Sequence, residues 1–110
     1  MPAGQQADFR LYGYPPSSGG QPFAILLSES AGNFILDPFA IRIDLEIDAV
    51  LVLGLSVPGL FGVLDAAGEG RSTGLTVPIE MRGRRFFVAG VGLDSRGAAY
   101  PTDAIAVRVR

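Results

Sequence analysis

Glycine and proline punctuate this chain from end to end: 15 Gly and 8 Pro are spread through 110 residues, with no single linker gathering them. In a helix interior each Gly costs about 1 kcal/mol against Ala and each Pro about 3 kcal/mol. Few stretches are therefore left long enough for a stable helix. Short extended segments joined by turns are what such spacing permits. The clearest segment is Ile41-Arg42-Ile43-Asp44-Leu45-Glu46-Ile47-Asp48, in which aliphatic and charged residues alternate over eight positions. A strand places the four aliphatics on one face and the four charges on the other, whereas a helix would scatter both sets.

The same logic reads strands at residues 7–14, 22–29, 34–36, 60–64, 72–77, 85–93 and 103–110. Residues 14–20 form a loop, Asp37-Pro38 a turn, and residues 65–70 a hairpin connection between 60–64 and 72–77. Seven to nine short strands without a helix predict an all-β fold, an antiparallel β-sandwich of immunoglobulin-like or related type. A small β-barrel is the competing architecture. The length allows one domain. Residues 15–110 are expected to form it, and residues 1–14 an N-terminal extension whose strand lies at a sheet edge or is exchanged between subunits.

Composition narrows the chemistry. The chain has no Cys, His, Trp or Lys, and all nine of its positive charges are Arg. Thiolate nucleophiles, zinc sites of the usual ligand types, Ser-His-Asp triads and imidazole bases are thereby removed. No catalytic residue, cofactor or metal is expected. A net charge of −2 offers no global attraction for nucleic acid. Residues 1–6 are polar and carry neither the basic nor the apolar region of a signal peptide. The longest nearly uninterrupted apolar run, residues 49–60, is too short to span a bilayer as a helix.

Three groups of residues invite a chemical reading. Asp44, Glu46 and Asp48 fall on one strand face about 6 to 7 Å apart, a separation that inverting glycosidases use. A flat, solvated strand face cannot desolvate one acid to raise its pKa, so this is read as an ordinary charged face. Asp65 and Glu69 share a loop that offers oxygen ligands to calcium, but the loop lacks the dense acidic repetition of a calcium motif and is read as a hairpin connection. Tyr12, Tyr14 and Tyr100 are the candidate aromatic platform for a ligand such as a sugar.

Failures of alternation point elsewhere. If the strand at 41–48 ran on, Val50 and Val52 would fall on the face that carried the charges; a bend after Asp48 is the alternative. Phe86 and Phe87 are adjacent, so one of them must point away from a one-sided core. With 48% hydrophobic residues in a small chain, a surplus of apolar surface is expected to meet more protein. The expected interface residues are Val50, Val52, Phe86, Phe9 and Leu11, with Arg108 and Arg110 as charged partners of the acidic stripe.

The second half also resembles the small β-sandwich modules found near the C-termini of many exported bacterial proteins. The matching text is Phe34-Ile35-Leu36-Asp37-Pro38, Gly62-Val63-Leu64-Asp65-Ala66-Ala67-Gly68, Leu75-Thr76-Val77-Pro78-Ile79, residues 86–94 and residues 103–109. That resemblance implies an immunoglobulin-like sandwich located outside the cytoplasm, extracellular or at the cell surface, and it implies no catalytic residues. The resulting expectation is a non-enzymatic structural subunit that self-associates into a fibre or surface assembly. The alternative is an accessory, adhesin-like module for carbohydrate or another surface protein.

Overall fold

A computed structural model of the chain describes residues 3–6, 8–36, 41–48, 51, 54–55, 57–72, 76–77 and 79–110. The protein is an all-β antiparallel sandwich with nine strands, and no closed barrel is found among the described residues. In chain order these are β1 (Arg10–Leu11), β2 (Pro22–Ser28), β3 (Ala31–Leu36), β4 (Ile41–Leu45) and β5 (Phe61–Val63). Then follow β6 (Gly70–Arg71), β7 (Arg85–Leu93), β8 (Ala99–Pro101) and β9 (Ile105–Arg108).

The centre is a five-stranded sheet in the order β5-β2-β7-β8, with β9 also pairing β7. Its heart is the β2–β7 ladder, running from Phe23 opposite Gly92 to Ser28 opposite Phe87. Two small sheets, β1-β6 and β3-β4, complete the fold. Side chains alternate across a strand, and here both faces of the central sheet are buried. Phe23, Ile25, Phe86 and Val88 face one way and pack with Leu11, Leu60, Leu64, Val77 and Val109. Leu26, Ala89 and Val91 face the other way, against Ile43 and Leu45 of β4 and against Leu51. The β1-β6 layer therefore covers one face and the β3-β4 hairpin the other.

Two covered faces explain why Phe86 and Phe87 can be neighbours. Phe86 lies in the first core, edge-to-face with Phe9 at 6.4 Å between ring centroids. Phe87 packs against the second core and carries the Arg85 guanidinium 5.5 Å from its ring centroid. Neither needs an external cover. Phe86 and Leu11, expected at an interface between copies, are each 5% exposed within the chain. Phe9 is half-buried on the same core.

The N-terminal segment is tied down within the chain. Arg10 and Leu11 pair with Arg71 and Gly70. Phe9 N–H donates to Ser72 Oγ at 2.8 Å, while Ser72 N–H donates to the Phe9 carbonyl at 2.9 Å. Ala3 N–H reaches the Arg110 carbonyl at 2.7 Å, and Gln6 bridges Thr76. Of the strand expected over residues 72–77, residues 73–75 lie outside the described residues. The 65–70 connection does not close a hairpin, since β5 pairs β2 and β6 pairs β1.

The alternating strand stops at Leu45, earlier than its sequence pattern. Ile43 and Leu45 are fully buried, but Ile47 is 64% exposed. Asp48 turns the chain. Its Oδ2 accepts Glu29 N–H at 2.9 Å and lies 2.8 Å from Ser28 Oγ, while its Oδ1 accepts Leu51 N–H at 3.0 Å. An aspartate accepting from the backbone three residues on is an N-cap, and Leu55 N–H then donates to the Leu51 carbonyl with helical spacing. The strand is not prolonged through this point; Val50 and Val52 lie outside the described residues.

Candidate functional site

The three carboxylates of the alternating segment do not form a site. Asp44 is half-buried on β4, Glu46 is exposed beyond its end, and Asp48 is spent on backbone and Ser28. Asp65 is likewise committed: its Oδ1 accepts Ala67 N–H at 2.9 Å and Glu69 N–H at 3.0 Å. Those donors favour the charged form and hold its carboxyl below the usual carboxylate range. Glu69 pairs with Arg10 at 3.4 Å. Asp94 repeats the Asp65 turn, accepting Arg96 N–H at 2.8 Å and Ala98 N–H at 2.9 Å, and its carboxyl is lowered for the same reason. The shared text is Leu-Asp-x-x-Gly, at Leu64–Gly68 and again at Leu93–Gly97. This repeated turn was legible in the sequence and was missed there.

Two of the three tyrosines meet, around structure rather than around a ligand. Tyr14 lies with its ring over Gly92, where an added Cβ would stand 2.8 Å from the ring. Its hydroxyl donates to the Tyr100 carbonyl at 2.6 Å. Burial pushes its phenol above the ordinary tyrosine value. Tyr100 donates to Asp94 Oδ2 at 3.3 Å. Tyr12, 70% exposed, stands beside a depression.

That depression is the groove between β1 and the outer edge of the central sheet, with a volume of ≈ 430 Å³. Leu11, Ile25, Val88 and Gly90 form its apolar floor. Leu11 packs closely onto Gly90, where an added Cβ would lie 2.4 Å from Leu11 Cδ1 and displace that side chain. Thr102 builds the wall: its Oγ accepts Gly90 N–H at 2.8 Å and its own N–H donates to the Gly90 carbonyl at 2.8 Å. This clamp interrupts the edge between β8 and β9 and turns Asp103 and Ile105 to the rim. Asp8 and Tyr12 stand on the rim from the β1 segment. No short-range sequence pattern could have joined residues 8–12 to 102–105.

At the far end of β9 the charge reverses. The β7–β9 register sets Arg85 directly opposite Arg108. The ladder continues through Val109 N–H to the Arg84 carbonyl and Gly83 N–H to the Val109 carbonyl, both at 2.9 Å, which brings Arg82 and Arg110 to the same corner. Arg84 is salt-bridged to Glu29. Arg108 and Arg110 are exposed, as are Arg82 and Arg85.

Comparison with family models, with characterised proteins and with solved structures finds no match to this chain. No helix among the described residues is long and apolar enough to cross a membrane. Among the described residues no group of three or more Asp or Glu gathers as metal ligands would. The groove can hold an apolar or aromatic group on its floor, with carboxylates placed to receive a cation. The corner can hold carboxylate or other oxyanion groups.

Proposed function

We propose that this protein is a non-enzymatic structural subunit that self-associates into an extracellular fibre or surface assembly. The observation that carries the reading is β5, which ends the central sheet in the order β5-β2-β7-β8 and is the uncharged tripeptide Phe61-Gly62-Val63. Phe61 and Val63 share a face and are 38% and 64% exposed. Soluble sheets ordinarily guard an edge by keeping it very short or with charge, proline or a bulge, since unpaired backbone groups template pairing with another chain; β5 is short but has no charge or proline of its own. Ile35, Leu55, Ile79 and Ile105 are also more than half exposed. The location outside the cytoplasm rests on the resemblance to exported sandwich modules.

Sedimentation velocity over a rising concentration series tests this. The expected result is a mass that grows with concentration, and growth that is reduced in Val63→Lys, which places a charge on the edge. A monomer at every concentration overturns the proposal.

A second reading, an accessory module that binds carbohydrate or another surface protein, is favoured by Tyr12 beside the apolar-floored groove. Glycan-array binding that is abolished by Tyr12→Ala supports it, and silence across the array removes its carbohydrate form.

A further inference from the structure

We propose that the β1–β9 groove and the arginine corner are the two halves of one head-to-tail contact between copies of this chain. In that contact Asp8 and Asp103 of one copy receive Arg82 and Arg110 of the next. The inference rests on the self-association reading and names the surfaces that would give it direction.

Charge segregation carries the argument. Asp8 and Asp103 rim the groove, which Arg10 also lines while pairing with Glu69, and the two aspartate carboxylates have no hydrogen-bond or salt-bridge partner among the described residues. The side chains of Arg82 and Arg110 have none either. The two pairs sit beyond opposite ends of β9, and the seven steps from Asp103 to Arg110 span roughly 20 Å at strand rise. That is about twice the screening length at physiological salt, so neither cluster neutralises the other within a subunit. Each keeps an unanswered charge, and the signs are opposite.

The corner also gathers like charge. Arg85 stands directly opposite Arg108 across the ladder, and like charges facing each other on a sheet are destabilising. Every cation there is a guanidinium, whose planar fork suits two-point pairing with carboxylates. Apolar surface accompanies the charge on both sides. Ile79, 64% exposed, lies in the turn that leads to Arg82, while Tyr12 and Ile105 flank the groove at 70% and 59% exposed. Because the contact joins two different patches, it does not close on itself by a two-fold axis; repeated, it gives a ring or an open filament. The β5 edge, at the other side of the central sheet, pairs only with β2 among the described residues, which leaves its outer side for lateral pairing.

Charge reversal tests the proposal. Asp8→Arg/Asp103→Arg makes both surfaces basic, and Arg82→Glu/Arg110→Glu makes both acidic. All four positions are exposed, and far-ultraviolet circular dichroism with thermal melting checks that each variant folds. Each variant alone is expected to need at least about tenfold more protein for half-assembly than the native chain. An equimolar mixture restores assembly as an alternating copolymer, because every contact then pairs opposite signs. Raising salt from about 50 to about 500 mM weakens native assembly. Native assembly that both variants reproduce unchanged overturns the groove-to-corner contact while leaving self-association standing. Variants that fail alone and also fail when mixed overturn it as well. A native chain that stays monomeric throughout overturns the self-association reading together with it.

Discussion

The two Leu-Asp-x-x-Gly turns offer a controlled experiment on what a glycine contributes. Gly68 and Gly97 occupy the same position of the same turn, at φ 79° and 81°. Each donates its N–H to the carbonyl of the turn's aspartate at 3.0 Å. An added Cβ at Gly97 meets nothing within 4 Å; at Gly68 it would stand 2.4 Å from the Tyr14 carbonyl oxygen and 2.7 Å from that of Pro15. Gly97→Ala therefore carries only the left-handed backbone cost, about 1 to 2 kcal/mol, partly offset by about 0.4 to 1 kcal/mol from a stiffer unfolded chain. Gly68→Ala carries the same terms plus a collision with main-chain atoms. Those atoms cannot drift freely, since the Pro15 carbonyl accepts Ser18 N–H at 2.9 Å and the Tyr14 ring is lodged over Gly92. Forcing a methyl into packed structure costs about 1 to 3 kcal/mol more. Urea denaturation should then place Gly68→Ala below Gly97→Ala by roughly 2 kcal/mol, with equal m values. In a domain near this size that is on the order of 10 °C in Tm. Asn, which tolerates left-handed φ, should rescue position 97 and not position 68. Equal destabilisation of the two alanine variants, within about 0.5 kcal/mol, would refute the interlocking of the 14–15 and 68 backbones.

The Ser28–Asp48 pair should couple strongly. Ser28 Oγ lies 2.8 Å from Asp48 Oδ2 and 2.9 Å from the Ser30 and Glu46 carbonyls, and its single proton favours the charged acceptor. A double-mutant cycle of Ser28→Ala and Asp48→Ala should give a coupling of about 1.5 kcal/mol or more, and a value near zero would place the proton elsewhere. Ser18 is the converse case, fully buried with no partner for its hydroxyl among the described residues. Ser18→Ala should be neutral or stabilising by up to about 1 kcal/mol, and a clear loss of stability would reveal a partner. The acid limb of stability should depend on Asp65 and Asp94. Both carboxyls are lowered in the folded chain by backbone N–H donors, so the unfolded chain binds protons more readily. Their contribution is present above the ordinary carboxylate value, near pH 4, and is lost as pH falls through the lower folded values. Denaturation followed from about pH 6 to about pH 2 should show a shallower acid limb in Asp65→Asn/Asp94→Asn, which keeps the oxygen acceptors and drops the charge. An unchanged limb would remove both residues from the acid response.

How much of this was legible depended on whether one face or two were buried. Alternation announced β4 at Ile41–Leu45 because its outer face meets water, and the pattern continued to Asp48 although the strand did not. Nothing in the alternation distinguishes an aspartate facing solvent from one that caps the next turn; the Ser28 that it binds is 20 residues away. The bounds of β7 were legible at Arg85–Leu93. β8 was hidden by its proline and by its length of three residues, since its edge is held by the Thr102 clamp on Gly90 and not by strand propensity. The groove was not legible, as its rim draws on residues 8–12 and 102–105, which only the folded sheet brings together.

The apolar surplus changes meaning once the central sheet is seen to be covered twice. From Phe86 to Leu93 the chain has no polar side chain at all, which a strand with one wet face cannot support. The run was therefore a sign of two cores, one fed by Phe86 and Val88 and the other by Phe87, Ala89 and Val91. Much of the 48% hydrophobic content is consumed inside the subunit, and Phe86 and Leu11 with it. Among the apolar residues that remain exposed are Phe61 and Val63 on one sheet edge and Tyr12 and Ile105 at the groove on the other. Of these two surfaces, the groove carries charge at its rim and the β5 edge carries none. The salt dependence of assembly is accordingly the property that separates the groove-to-corner contact from pairing through β5, which carries no charge and should persist at high salt.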